Sequence, residues 1–136
     1  MVRCFMDKKL DLVKEWIHKA GNDLGMAKLA LDNQVEYTDA ICFHCQQAVE
    51  KYLKAYLIDQ DIVFKRSHSI SYLLDLMDDI ENVSESLYQK AEILESYAVE
   101  IRYPDNWYEP TKEETAEAYN IAVEFKKYIL DRVIIE

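Results

Sequence analysis

Turn-forming residues are scarce in this sequence, which contains two glycines and two prolines in 136 residues. A many-stranded sandwich or barrel needs a turn every several residues, so this scarcity disfavours both architectures. Half of the residues are hydrophobic, and the length is near the common size of one domain built around one core. The sequence therefore predicts an all-α protein in which residues 1–136 form a single domain.

Apolar residues recur at three- and four-residue spacing through long segments, which is the pattern of helices with one buried stripe. In the first helix this stripe consists of Val13, Ile17, Ala20, Leu24, Ala27 and Leu31. Four long helices and one short one are predicted, joined by short breaks, and they favour an antiparallel up-and-down helical bundle. Their expected ranges are 7–31, 37–58, 68–80 (the short helix), 85–103 and 111–134.

Local signals mark several of the helix ends. Ser67 is a candidate N-cap of the short helix, since its hydroxyl can accept a hydrogen bond from a first-turn amide. Thr111 and Glu114 form a T-x-x-E capping box at the start of the last helix. Gly21 and Gly25 lower helix propensity within the first helix, and one interpretation is that they permit close approach of a neighbouring helix.

The formal net charge is −10, from 26 acidic and 16 basic residues. This balance disfavours long-range attraction to bulk nucleic acid or an anionic membrane, while a local basic patch could still contact a phosphate. No segment has the length of a membrane span, and the N-terminal residues lack a signal-peptide stretch. With only three cysteines and no disulfide-dense spacing, the sequence predicts a cytoplasmic protein with reduced thiols.

The segment "ICFHCQQAVEKYLKAYLI", residues 41–58, contains Cys42-x-x-Cys45 with His44 between the cysteines. On a helical wheel both cysteines fall inside a continuous apolar arc of about 160°. His44 points roughly 100° away from either sulfur, so the three side chains cannot close on one metal ion. We expect buried thiols that pack in the core, with no metal site and no cofactor.

The opposite arc of this helix carries a row of polar side chains within about 80° of one another. This row comprises His44, Gln47, Lys51 and Lys54, and it is flanked by Gln46 and Glu50. From this helix alone, an ordinary solvated face and a ligand-binding edge both remain open interpretations.

With that row in view, the sequence resembles the HEPN domain family (higher eukaryotes and prokaryotes nucleotide-binding). "WIHKAGNDLGMAKLAL", from Trp16, is similar to the family's first helix, and "DAICFHCQQAVEKYLKAYLI" to its strongest signature, a-x-F-x-x-QQA-x-EK-x-LKA. "RSHSISYLL" and "IRYPD" resemble two further family segments, the second at the end of the fourth helix. The four segments occur in the family's order and together span nearly the whole chain.

The resemblance implies a helical bundle that dimerises, with helices of both subunits lining a shared cleft. Many members are encoded beside a minimal nucleotidyltransferase and act as its partner, often in toxin–antitoxin pairs. Members with an Arg-x4–6-His motif near the end of the fourth helix are metal-independent ribonucleases. In those members a histidine pair would act as acid and base, while arginine holds the phosphate charge.

This sequence departs from the ribonuclease pattern after Arg102. Residues 107–109 are Trp-Tyr-Glu where the family histidine would fall, and His18, His44 and His68 all lie far upstream. Without an imidazole at that position, no group of near-neutral pKa is available there to take the hydroxyl proton.

Arg102 could still hold a phosphate with its planar guanidinium, or it could form an ion pair with Asp105 that secures the helix end. His68 lies near a predicted helix N-terminus, where it could assist a bound anion or simply pack or cap. A base could stack on the loop that carries Tyr103, Trp107 and Tyr108. The predicted ligand-binding residues are Arg102, Tyr103, Asp105, Gln47, Lys51, Lys54, His44 and His68.

Three functional hypotheses follow. The favoured one is a homodimeric module that binds nucleotide or RNA phosphate and pairs with a minimal nucleotidyltransferase. The second is a ribonuclease toxin that uses Arg102 with His44 or His68 as an unusual base. The third is a structural adaptor whose polar row forms the dimer or partner surface.

Overall fold

The computed structural model describes residues 2–97 and 109–134, with side chains from residue 8 onward. These residues form five α-helices and contain no β-strand, which confirms the predicted all-α bundle. The helices are α1 (Val2–Asp32), α2 (Thr38–Asp59), α3 (Ile70–Glu81), α4 (Glu85–Glu95) and α5 (Lys112–Leu130).

Helix α2 is the centre of the bundle and contacts each of the other four helices. All side chains of its predicted apolar arc are buried, because neighbouring helices pack against the whole of that arc. The predicted stripe of α1 is likewise buried or half-buried. The arc consists of Ile41, Cys42, Cys45, Ala48, Val49, Tyr52, Leu53, Ala55 and Tyr56.

Helix ends are stabilised without glycine. Gln34 and Asp61 adopt left-handed conformations, with φ of 53° and 58°, just after α1 and α2. In both turns the following residue donates to a carbonyl five positions back, Val35 to Ala30 and Ile62 to Leu57, as in a Schellman motif. These hydrogen bonds satisfy the last helical carbonyls, which explains how a glycine-poor chain ends its helices.

The capping box of α5 is confirmed, since Thr111 and Glu114 exchange side-chain and backbone hydrogen bonds. The prediction for α3 was displaced by two residues. Ser69 is the N-cap and accepts from the Tyr72 amide, whereas Ser67 accepts from the Ser69 amide in the preceding turn. Two serines stood within reach of the same helix start, and the path of the entering chain selected the second.

Two other predicted boundaries also differ. The described part of α4 ends at Glu95, with Ser96 and Tyr97 in a turn, and the rest of the expected 85–103 helix lies outside the described residues. Helix α5 ends at Leu130 rather than near Ile134, because Asp131 and Arg132 form a turn.

Gly21 and Gly25 do not support a close helix contact within the described chain, so that interpretation was wrong. Both lie on the exposed face of α1, and a Cβ added at either position meets no atom within 4 Å. Gly21→Ala and Gly25→Ala should each raise the free energy of unfolding by about 0.8–1 kcal/mol, because alanine costs less backbone entropy in a helix. Urea unfolding measures this change, and a loss of stability in either variant would contradict it.

Candidate functional site

Two carboxylates organise the polar row of α2. The first belongs to Asp23 on α1, whose side chain is 13% exposed. Lys51 Nζ donates a hydrogen bond to Asp23 Oδ2, and His44 Nδ1 lies 2.9 Å from Asp23 Oδ1. Because a carboxylate only accepts, His44 carries its proton on Nδ1 in this contact.

Glu50 is the second carboxylate and is nearly inaccessible, with a side chain 3% exposed. Its Oε1 lies 2.8 Å from Lys54 Nζ and 2.8 Å from His68 Nδ1. Gln47 Nε2 donates to Glu50 Oε2 at 3.0 Å. A buried carboxylate is stable only when such donors replace its lost hydration, and here three different side chains supply them.

Gln46 extends this network to the chain entering α3. The side chain is buried; its Nε2 donates to the His68 carbonyl at 3.2 Å, and its Oε1 accepts from Gln47 Nε2 at 2.8 Å. Both N–H bonds of the Gln47 amide therefore donate within the protein, and its Oε1 is left as an acceptor.

Lys54 is also buried, and its ammonium lies 5.4 Å from the centre of the Trp16 ring. The cation faces the ring on one side and Glu50 on the other, an arrangement that offsets part of its desolvation. A solvated face is thus excluded for Gln46, Glu50 and Lys54. Direct contact of Lys54 with a ligand stays a prediction.

His44, Gln47, Lys51 and His68 remain at least partly accessible, and we call these four residues the α2 edge. His68 is the most open, with a side chain 63% exposed, whereas that of Lys51 is 23% exposed. Each of the two imidazoles is oriented by a carboxylate through Nδ1, so its Nε2 is the atom left for other contacts.

The N-terminus of α3, where sequence reasoning considered a bound anion beside His68, is occupied by the protein's own carboxylate. Glu95, at the end of α4, accepts from the Ser71 amide at 2.6 Å, from Ser71 Oγ at 2.9 Å and from Ser69 Oγ at 3.0 Å. A negative group is favourable there because the first-turn amides have no helical partners. Helix α4 is thereby anchored directly beside His68.

Sequence reasoning did not assign site roles to Asp23, Glu95 and Trp16. Asp23 and Trp16 stood in the segment that resembles the family's first helix, but their partners on α2 could not be read from that pattern. Glu95 had no local signal, since its hydrogen bonds join residues 24 and 26 positions away.

Arg102, Tyr103 and Asp105 lie outside the described residues, as do Trp107 and Tyr108. Their predicted roles in holding a phosphate or stacking a base therefore stay predictions.

The two thiols of the Cys-x-x-Cys segment are reduced and fully buried, as expected for core residues. Burial raises the pKa of the Cys45 thiol to about 12, with the neighbouring Cys42 adding to the effect. A thiol with such a pKa holds almost no thiolate at neutral pH and is a weak nucleophile.

The described residues contain no group of three or more His, Cys, Asp or Glu side chains that could hold a metal ion together. Among the helices of the described ranges, none combines the length and apolar character needed to cross a membrane.

Comparison with known proteins assigns this chain to a family. The sequence profile of the HEPN domain matches residues 13–133. The chain is 32% identical, over 132 aligned residues, to the Methanocaldococcus jannaschii protein named "Putative toxin MJ1304", covering 87% of this chain and 86% of that protein.

Solved structures agree with this assignment. ST0689, an archaeal HEPN homologue, has a TM-score of 0.72 at 31% identity, covering 90% of this chain and 98% of that one. TT1696 from Thermus thermophilus has a TM-score of 0.77 at 28% identity, covering 89% of this chain and 98% of its own. With the profile match over nearly the whole chain, these findings show that this protein belongs to the HEPN domain family.

Proposed function

We propose that this protein is a homodimeric, cytoplasmic module that binds nucleotide or RNA phosphate and acts with a minimal nucleotidyltransferase in a toxin–antitoxin-like pair. Membership of the HEPN family and the similarity to a protein named as a toxin support the general role. The geometry of the α2 edge supports phosphate as the bound group.

The observation that carries the proposal is a pair of nitrogen-bearing side chains held by separate carboxylates, the Lys51 ammonium and the His68 imidazole. Lys51 is held by Asp23 and His68 by Glu50, and both remain open to solvent. Donors fixed in advance lose less entropy when they bind a phosphate oxygen than freely rotating side chains do.

Arg102 is proposed as a third phosphate contact, with Tyr103 and Asp105 beside it. The anchoring of Glu95 at Ser69 and Ser71 supports this, because the chain leaving α4 starts next to His68. Arg102 follows Glu95 by seven residues in the sequence.

Calorimetric titration with a nucleotide panel and short RNA tests the binding proposal. We expect Lys51→Ala and Arg102→Ala each to weaken binding about tenfold, as for the loss of one charge-assisted hydrogen bond, and binding to weaken with added salt. Lys19→Ala is the matched control, since Lys19 is exposed on α1 and pairs with the exposed Glu15. Equal heats for wild type and both site variants would refute the proposal.

The partner proposal has its own experiment. The chain is expressed alone and together with a nucleotidyltransferase encoded beside it, and light scattering measures the masses. We expect a dimer alone and a larger complex in co-expression. A monomer in both samples would exclude the assembly, without affecting the binding test.

The carboxylate-oriented imidazoles favour a second candidate, a metal-independent ribonuclease. In the Asp23–His44 and Glu50–His68 pairs a carboxylate orients Nδ1 and leaves Nε2 outward, which is the arrangement of a general base. This activity would require induced expression to arrest bacterial growth and cleave RNA, and His44→Ala or His68→Ala to relieve both effects. Normal growth on induction of the wild type would exclude it.

A further inference from the structure

An apolar pocket opens between the end of α1 and the start of α2, immediately beside the α2 edge. Its volume is about 420 Å³, within the range of small-molecule sites. Its walls are mainly aliphatic, from Met26, Leu29 and Val35, with one aromatic side chain, Tyr37. Met26, Leu29 and Tyr37 are exposed, so a guest would cover apolar surface that now faces water.

The turn that ends α1 shapes this pocket. Gln34 in the left-handed conformation folds the chain back, and the Val35 amide donates to the Ala30 carbonyl at 3.0 Å. Val35 and Ala30 both line the pocket, so its floor belongs to a hydrogen-bonded helix end. A wall built on such a motif is preformed.

Two polar side chains line the pocket, and each presents an acceptor. His44 uses Nδ1 for Asp23, and its Nε2, which is an acceptor when the ring is neutral, has no partner among the described residues. Asn33 Nδ2 donates to the Leu29 carbonyl at 2.8 Å, which leaves its Oδ1 as an acceptor. A well-matched guest would be flat and apolar on its faces, with N–H groups on its edge.

We infer that this pocket receives the base of a bound nucleotide and that it favours a base with an exocyclic amino group, whose N–H bonds meet His44 Nε2 and Asn33 Oδ1. Adenine, guanine and cytosine each offer such a group, whereas uracil offers one N–H between two carbonyl acceptors. Tyr37 supplies an aromatic face for stacking. This inference rests on the proposed function.

The position of the pocket along α2 fits one nucleotide. His44 and Lys51 bind the two oxygens of the same carboxylate, Asp23, so the proposed base and phosphate contacts lie close together. The ribose would bridge them past Gln47. The pocket would then contact the base and Lys51 the phosphate, so the two contacts can be tested separately.

Titration with nucleosides, which carry no phosphate, isolates the base contact. We expect adenosine or guanosine to bind at least about fivefold more tightly than uridine, as for one hydrogen bond gained. His44→Ala should remove most of this preference, and Leu29→Ala should weaken all nucleosides by shortening one wall. His18→Ala is the matched control, since His18 is exposed on α1 and lies outside the pocket lining.

Each other outcome has a defined consequence. If AMP and UMP bind equally and depend on Lys51, while nucleosides do not bind, the base pocket is refuted and the proposed phosphate contact stands. If no nucleotide binds at all, both proposals fail. If His44→Ala or Leu29→Ala changes the oligomer mass in light scattering, the pocket is covered by protein and the inference is overturned.

Discussion

Replacement of Glu50 by alanine is expected to lower the free energy of unfolding by about 3–5 kcal/mol, because it leaves a buried ammonium without its counter-charge. The Lys54 side chain is 9% exposed, and its Nζ lies 2.8 Å from Glu50 Oε1. His68 and Gln47 lose the same acceptor. Urea unfolding followed by circular dichroism measures the loss.

Two further variants show whether the buried charge is the cause. In Glu50→Leu combined with Lys54→Met, both charges are replaced by apolar groups of similar size, and most of the stability should return. Glu15→Ala removes a carboxylate from the exposed pair with Lys19 and should change stability by less than about 1 kcal/mol. If Glu50→Ala behaves like Glu15→Ala, the network around Glu50 is not formed in solution.

Replacement of Glu95 by alanine is expected to cost about 2–3 kcal/mol. Its carboxylate accepts three hydrogen bonds from Ser69 and Ser71 at the first turn of α3, and hydrogen bonds to charged groups are among the stronger ones. The loss also leaves the Ser71 amide without its partner and removes a polar link between α4 and α3, which the Tyr88–Asp75 hydrogen bond still joins. Urea unfolding again gives the magnitude.

A double-mutant cycle with Ser71→Ala separates this interaction from general effects of the substitution. We expect a coupling energy of about 1 kcal/mol or more between the two positions. Glu92→Ala is the matched control, because Glu92 is an exposed carboxylate on the same helix. Coupling near zero, with equal losses for Glu92 and Glu95, would show that Glu95 does not anchor α4.

The solved relatives show how far the helical arrangement depends on the exact sequence. Structures that are 28–31% identical to this chain retain TM-scores of 0.72–0.77, so the helical arrangement tolerates wide sequence change. A Thermotoga maritima HEPN domain protein, 24% identical over 86% of this chain and 95% of its own, has a TM-score of 0.70 and shows the fold alone. The function of the α2 edge therefore has to be tested on this chain's own side chains.

Local physics was enough to predict the helices and their buried faces from the sequence. The stripe on α1 and the apolar arc on α2 follow from the 3.6-residue period, which fixes the direction of each side chain about its own axis. The capping box at Thr111 and Glu114 is equally local, since it joins residues three apart. The two cysteines were placed in the core by the same angular argument.

The tertiary structure alone decided the partners of the polar side chains. Asp23 meets His44 and Lys51 from 21 and 28 residues away, His68 meets Glu50 across 18, and Glu95 reaches Ser71 across 24. Such pairings depend on how the helices are rotated and offset against one another, and no periodicity within one helix contains that information. A helical wheel therefore showed that the polar side chains between residues 44 and 54 form one row, and only the packing of α1, α3 and α4 against α2 determined which of those groups are buried and which can meet a ligand.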